Sequence, residues 1–223
     1  DGDVLTGTGT MISNNAMLTC GHNLYTDKDP FPQGASRWAT SFTFYPGQTN
    51  MNLDRPDPTT GNRANPNARP YGGASWRFIY YWKGWTNSFD SDLDMMLVIL
   101  NKPLGDKTGW MGLKTGQLER DLILHLEGYP GDKDDYQLWF STGKVYTVYK
   151  YTVTYGMDSV AGNSGGPVKD GEHFLHAVHT RGGAALTSNE GVYLTRGKYD
   201  TVLGWVAENR PAPGKAQGTA NWS

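Results

Sequence analysis

Apolar and polar positions along this chain alternate mostly with the period of a β-strand. Ser41-Phe42-Thr43-Phe44-Tyr45 has strict period two, and Thr6 to Ser13 alternates small and apolar residues. Trp76 to Trp82 is aromatic and β-rich, and Asp94 to Leu100 runs into a short apolar stretch. Leu122 to Leu126, Gln137 to Phe140, Lys144 to Tyr155, Phe174 to Thr180 and Gly191 to Leu194 continue the pattern, with turn signals between them. Helical spacing stands out once. Tyr199, Val202, Leu203 and Val206 fall at i, i+3, i+4 and i+7, and Pro211 closes the segment. Many short strands with one terminal helix predict an all-β fold of antiparallel barrels or a sandwich, not a parallel α/β sheet.

The segment from Pro46 to Gly73 is rich in Pro, Asn and Gly and reads as a long surface loop; residues 211–223 read as a loose tail. Gly105 to Gly116 is the expected junction between halves, which gives domains at 1–108 and 109–223. A chain of 223 residues is long enough for a substantial core. Its formal net charge of −2 lacks the basic excess of a nucleic-acid or membrane-surface binder. No apolar run approaches the ~20 residues that span a bilayer. No signal peptide is visible, and the chain reads as a processed form. Cys20 is the single cysteine, so no internal disulfide forms. Abundant Trp, Tyr, Gly and Asn with few charges suit a secreted β-protein. The sequon Asn221-Trp222-Ser223 ends the chain.

The candidate chemistry centres on Gly162-Asn163-Ser164-Gly165-Gly166-Pro167. Glycines are favoured where a chain turns sharply or lets another group approach, which suits an exposed hydroxyl nucleophile ringed by backbone N–H groups. Such a hydroxyl needs a base. Of His22, His125, His173, His176 and His179, His22 stands apart, in Leu18-Thr19-Cys20-Gly21-His22 just after an apolar strand. The base needs an orienting acid. Asp94 opens the run Asp94-Met95-Met96-Leu97-Val98-Ile99-Leu100, whereas Asp90 and Asp92 sit in the polar loop before it. The order histidine, aspartate, serine separates this arrangement from subtilisins and from α/β-hydrolases, whose acid and histidine follow the serine.

Thr19-Cys20-Gly21-His22 resembles the Thr-Ala-Gly-His motif of chymotrypsin-like serine peptidases, with cysteine in the alanine place. The segment from Asp94 resembles their acid motif, and Gly162 to Pro167 their nucleophile motif. Gly128-Tyr129-Pro130-Gly131-Asp132-Lys133 with Gly143-Lys144, and Val178-His179-Thr180 with Gly182-Gly183, resemble bacterial glutamyl endopeptidases of the staphylococcal V8 type. The resemblance spans about residues 7 to 207. It implies two six-stranded antiparallel β-barrels with the active site between them. It also implies Ser164 as nucleophile, His22 as general base, Asp94 as its orienting acid, and the N–H groups of Gly162 and Ser164 as oxyanion hole. Thr180 to Gly182 would offer an edge strand to the substrate backbone. The expected partners are polypeptide substrates, with no nucleic acid, membrane or cofactor, for a monomer secreted to the extracellular space.

The substrate pocket reads two ways. Asp158, six residues before Ser164, stands where trypsin-like relatives hold the carboxylate that selects Arg or Lys. Ser159 and His179 match the hydroxyl and histidine that hold a glutamate in glutamyl endopeptidases. A carboxylate ~4 Å from a substrate carboxylate costs about 1 kcal/mol in water and about 4 kcal/mol at an effective dielectric near 20. If Asp158 faces the pocket, glutamate is disfavoured. If it turns away or pairs with a cation such as Arg181, His179 and Ser159 decide, and cleavage after Glu is the favoured reading. An inactive homologue serving as a binding module is the rival from another class. The rate is expected to fall with pH through the titration of His22, which for an ordinary imidazole lies near ~6–7. The acids Asp27, Asp29 and Asp132 to Asp135 show no calcium-ligand spacing, so no metal site is assigned.

Overall fold

The computed structural model describes residues 5–26, 38–49, 68–116, 118–133, 137–182, 188–209 and 219–220. Four antiparallel strands carry the N-terminal half: β1 (Thr10–Met11), β2 (Ala16–Thr19), β3 (Trp76–Trp82) and β4 (Met96–Leu100), in the order β1-β2-β4-β3. Every residue of β4 is buried, as its uninterrupted apolar run demands. Met96-Leu97-Val98-Ile99 pairs with β2 on one side and β3 on the other, Leu18 and Tyr80 flanking Leu97.

A two-residue strand β5 (Gly112–Leu113) leads into the C-terminal half. There β6 (Ile123–Gly128), β7 (Trp139–Val148), β8 (Thr152–Tyr155), β9 (Pro167–Lys169), β10 (Phe174–Arg181) and β11 (Asn189–Tyr193) pair in the order β11-β8-β7-β6-β9-β10. The pairing of β10 with β11 closes these six strands into a barrel, and β5 adds in parallel to β10. A last strand, β12 (Thr219–Ala220), lies parallel to β3 at the edge of the N-terminal sheet.

The all-β expectation with a C-terminal helix therefore holds, and one closed six-stranded barrel is present. The N-terminal half is different. Among the described residues it is an open five-stranded sheet, flanked by isolated bridges from Tyr25 to Trp38 and from Phe44 to Ala74. The alternation at Ser41 to Tyr45 yields only that Phe44 bridge. Thr6 to Ser13 shortens to β1, because its first residues bond to a distant loop rather than to a neighbouring strand. Gln137–Phe140 and Lys144–Tyr155 merge and divide again as β7 and β8. Two short helices escaped the pattern, α1 (Lys83–Ser88) and α2 (Gly105–Thr108), each too brief to show a helical period. Most of the loop from Pro46 to Gly73 and most of the tail lie outside the described residues, as does the terminal sequon.

The terminal helix α3 (Arg196–Glu208) starts where the Thr195 side chain accepts the Lys198 N–H at 3.3 Å and stops before Pro211. Its buried face is Lys198, Val202 and Trp205, whereas Leu203 is exposed. The expected stripe is thus rotated, because Trp205 stacks with Tyr80 and meets Trp82 of β3 at 4.5 Å between ring centres. One apolar cluster consequently joins the halves: Leu18, Cys20 and Leu97 from the first, Val178, Val192 and Leu194 from the second, Val202 and Trp205 from α3.

Candidate active site

Strands β2 and β4 run antiparallel with Thr19 opposite Met96. The chain leaving β2 and the chain entering β4 therefore meet at one end of the sheet. His22 lies just beyond β2, in the 3-10 turn Gly21–Asn23, and Asp94 just before β4, after the 3-10 turn Ser91–Leu93 that Asp90 caps. Asp94 Oδ2 is 2.7 Å from His22 Nδ1, and Oδ1 accepts the His22 backbone N–H at 2.9 Å. Both carboxylate oxygens are thus committed to one residue. The acid is 2 % exposed, while the imidazole remains partly accessible. Asp90 and Asp92 lie in the capping turn and do not bond to the imidazole.

Burial by itself lowers the His22 pKa, but Cys20 and Asp94 against its two nitrogens outweigh burial, and the pKa stands above the ordinary 6.5. Burial raises the Cys20 thiol, so at neutral pH the sulfur is uncharged and the upward shift rests on the Asp94 carboxylate. This corrects the expectation of an ordinary imidazole. The remaining nitrogen, Nε2, lies 3.4 Å from Cys20 Sγ. Among the described residues the Ser164 hydroxyl makes no hydrogen bond.

The nucleophile loop is fastened to its surroundings through its backbone. Gly165 donates to the carbonyl of His179 at 2.8 Å, and His179 donates to that of Gly166 at 2.9 Å, which ties the loop to β10. Gly162 and Gly165 have φ of 102° and 88°, and a Cβ at either would overlap neighbouring backbone. The N–H groups of Asn163, Gly165 and Gly166 are all bonded within the fold. Among the described residues those of Gly162 and Ser164 have no acceptor, so two neighbouring donors remain for an oxygen that gains charge.

Two residues that the sequence did not mark hold this loop from the N-terminal half. Thr8 Oγ1 donates to the Gly162 carbonyl at 2.7 Å and accepts the Tyr129 N–H at 3.0 Å; the Thr8 N–H donates to the Ser164 carbonyl at 2.8 Å. Asn23 Nδ2, adjacent to His22, donates to the same Ser164 carbonyl and to Thr19 Oγ1, both at 2.9 Å. The neighbours of the candidate base therefore bond directly to the candidate nucleophile's backbone. Thr8→Val keeps the shape but strips two buried groups of a partner, at about 1–3 kcal/mol each. A kcat reduced about 10–100-fold with KM little changed is the expected result. Thr8 has no positioning role if steady-state kinetics of the variant match wild type.

Of the candidate pocket residues, His179 is 2 % exposed, and its Nδ1 is 2.7 Å from the hydroxyl of Tyr155. Burial, with His22 nearby, lowers the His179 pKa to about 3, so the ring is neutral at ordinary pH. Ser159 is buried and donates to Asn189 Oδ1 at 2.8 Å, with Gly182 against both residues. Asp158 is exposed and lines a shallow pocket of about 60 Å³ with Lys133 and Phe140. Arg181 is exposed, 4.0 Å from Glu190, and Thr180 Oγ1 donates to the Glu190 carbonyl at 3.3 Å. The structure thus gathers Ser159 with Gly182, sets His179 on Tyr155, places Asp158 beside Ser159 at the shallow pocket, and leaves Arg181 paired with Glu190. Neither Tyr155 nor Asn189 was marked by the sequence. A larger cleft of about 570 Å³ begins at Thr8 and Tyr129 and extends past Trp110 and Phe174.

The fold superposes on a solved Glu endopeptidase with a TM-score of 0.75 at 22 % identity, covering 90 % of this chain and 85 % of the other. A protease from Arthrobacter nicotinovorans, Anisep, gives 0.65 at 21 % identity over 89 % of each chain. The chain has the chymotrypsin-like serine peptidase fold. No family model matches it. In sequence it is 28 % identical to the "extracellular metalloprotease" of Bacillus subtilis over 205 residues and 27 % identical to the glutamyl endopeptidase of Bacillus licheniformis over 210 residues. Each match covers 89 % of this chain and 58 % of the relative. A Staphylococcus epidermidis glutamyl endopeptidase is 27 % identical, over 95 % of this chain and 64 % of its own length. The chain spans about three-fifths of the length of the curated relatives it matches.

The metal implied by the first relative's name has one candidate donor set on this chymotrypsin-like fold among the described residues: Cys20, His22 and Asp94, within 4.8 Å of one another. They do not fit a catalytic centre. Such a site has three protein ligands and an open position. Here both Asp94 oxygens are bonded to His22, which leaves only Sγ and Nε2. Of the acids weighed for calcium, Asp132 pairs with Lys133 at 3.0 Å, and Asp27, Asp29, Asp134 and Asp135 lie outside the described residues.

Proposed function

We propose that this chain is a secreted serine endopeptidase that cleaves polypeptides after glutamate through an acyl-enzyme intermediate. The His22–Asp94 contact at 2.7 Å carries the reading, because it leaves one imidazole nitrogen for proton transfer beside a loop with two unspent N–H donors. Ser164 Oγ attacks the scissile carbonyl as His22 Nε2 takes its proton. The oxygen that gains charge sits on the N–H groups of Gly162 and Ser164. His22 then returns the proton to the leaving amine, and water repeats the sequence on the ester. Asp94 holds the imidazole tautomer and stabilises the imidazolium. Residues 1–108 form a first unit that carries His22 and Asp94, and 109–223 a second that carries Ser164, in a monomer.

The neutral His179 supports the choice of glutamate. A Tyr155 hydroxyl donating to Nδ1 leaves the proton on Nε2, a donor for a carboxylate and useless to Arg or Lys. Ser159 adds a hydroxyl, and Asp158 beside it is exposed, so water screens the repulsion considered above. The edge of Thr180 to Gly182 pairs with substrate backbone. Extracellular action accords with the name of the Bacillus subtilis relative, and among the described residues no helix is long and apolar enough to cross a membrane.

A peptide-library profile is expected to show cleavage after Glu. His179→Ala is expected to lower kcat/KM for Glu substrates about 100-fold or more, since a buried carboxylate loses a donor, while a small fluorophosphonate still labels Ser164. A profile dominated by Arg or Lys overturns the specificity, and failure to label overturns the enzyme.

A further inference from the structure

Cys20 is fully buried, yet its sulfur faces the one nitrogen of His22 that Asp94 does not occupy. The Sγ–Nε2 separation of 3.4 Å has a specific meaning in coordination chemistry. Two ligands on one tetrahedral ion, with a metal–sulfur bond of about 2.3 Å and a metal–nitrogen bond of about 2.0–2.1 Å, lie about 3.5 Å apart. The two atoms therefore stand at chelating distance, and an ion takes the place of the hydrogen bond between them. The other side of the ring is prepared as well: a ligating histidine almost always gives its second N–H to a carboxylate, which fixes the ring and raises its basicity. Asp94 Oδ2 on Nδ1 at 2.7 Å is that partner. The imidazole is partly exposed, which leaves an ion a path to the ring.

We propose that Cys20 and His22 form an inhibitory site for a soft divalent cation such as Zn²⁺ or Cd²⁺, which binds Sγ and Nε2 with water filling the remaining positions and withdraws the general base from Ser164. Binding exchanges the thiol proton for the metal: the S–H bond breaks, the proton leaves to solvent, and a metal–thiolate bond forms with no change in oxidation state. Hard ions are excluded, because thiolate and imidazole select soft and borderline metals over Mg²⁺ and Ca²⁺. The donor set has two protein ligands and no general base left over, so the ion blocks turnover rather than supporting it. The motif that Thr19 to His22 resembles carries alanine where Cys20 stands, so the thiolate donor is a departure from that motif.

Cadmium titration of the full chain tests this with a readout independent of proteolysis. One equivalent is expected to raise the ultraviolet thiolate-to-metal charge-transfer absorption, in the wild type and equally in Ser164→Ala. The same ion is expected to inhibit wild-type peptide hydrolysis reversibly, with activity restored by a chelator. Cys20→Ala is expected to abolish the absorption and to weaken inhibition, measured against the variant's own metal-free rate, more than about 100-fold. Cys20→Ser, closer in volume, serves the same comparison if the alanine variant loses its fold. Absence of the absorption in wild type, or equal inhibition of wild type and both Cys20 variants, overturns the site. An inactive wild type that still binds one cadmium through Cys20 leaves the site standing and overturns the peptidase reading instead.

Discussion

Replacing Ser164 with alanine is expected to lower kcat about 10⁶-fold, the size of effect seen when the nucleophile is removed from comparable triads. The loss is that large because the hydroxyl is not one contributor among several. Without it no acyl-enzyme forms, and Asp94 and His22 have no proton to move. The remaining loop still binds substrate, and its two free N–H donors still favour a negatively charged oxygen. A residual rate about 10³–10⁴ above water is therefore expected, from direct attack by solvent. KM is expected to change little, since the alanine removes only an oxygen. Pre-steady-state kinetics with a chromogenic Glu ester adds a second check: the burst of acyl-enzyme formation vanishes in the variant. Turnover within tenfold of wild type, or a surviving burst, removes Ser164 from the mechanism.

Asp94→Asn is expected to lower kcat about 10⁴-fold. The amide matches the carboxylate in shape but offers an N–H where His22 Nδ1 requires an acceptor. The ring is driven to the tautomer whose Nε2 carries the proton, which cannot accept one from Ser164. The pH profile supplies the sign. The base works only when neutral, and Asp94 favours its charged form, so the wild-type acid limb of kcat/KM is expected above pH 6.5, the ordinary imidazole value. Without the carboxylate, burial is left to act alone and favours the neutral ring. The limb of the variant is expected to move down in pH while its plateau falls. A variant whose acid limb stays in place would show that another group sets it.

Much of this site was legible in the chain because each part carries a backbone signal. Ser164 sits among glycines that two positive-φ positions require, and Asp94 opens the one fully apolar strand. His22 closes a motif at a strand end, and the Thr19–Met96 register then makes the meeting of base and acid unavoidable. Thr8 and Asn23 left no such trace. Their work is to bond backbone carbonyls across 154 and 141 residues, and any small polar residue in a loop reads alike until those carbonyls are placed beside it. The same holds for Tyr155, whose place in an alternating strand says only that it is inside. Asp158 is a mixed case: its position in the chain marks it as a pocket residue and it lines the shallow pocket beside Ser159, but position alone does not tell that it stays exposed. The helix stripe failed at Leu203 for a related reason: periodicity counts apolar residues equally, whereas Tyr80 and Trp82 offer a surface that an indole fills better than an isobutyl group.

The seating of α3 bears on how the molecule loses activity. The proposed base and acid reside on one half of the chain and the proposed nucleophile on the other, so on that reading function depends on the seam between them. Trp205 reaches from the end of the second half into the aromatic face of the first, much as a bolt passes through two plates. Loosening either plate frees the bolt. Separation of the halves and loss of the proton-transfer pathway are thus a single event, and heat inactivation has no stage at which an intact first half keeps a working base within reach of a displaced serine.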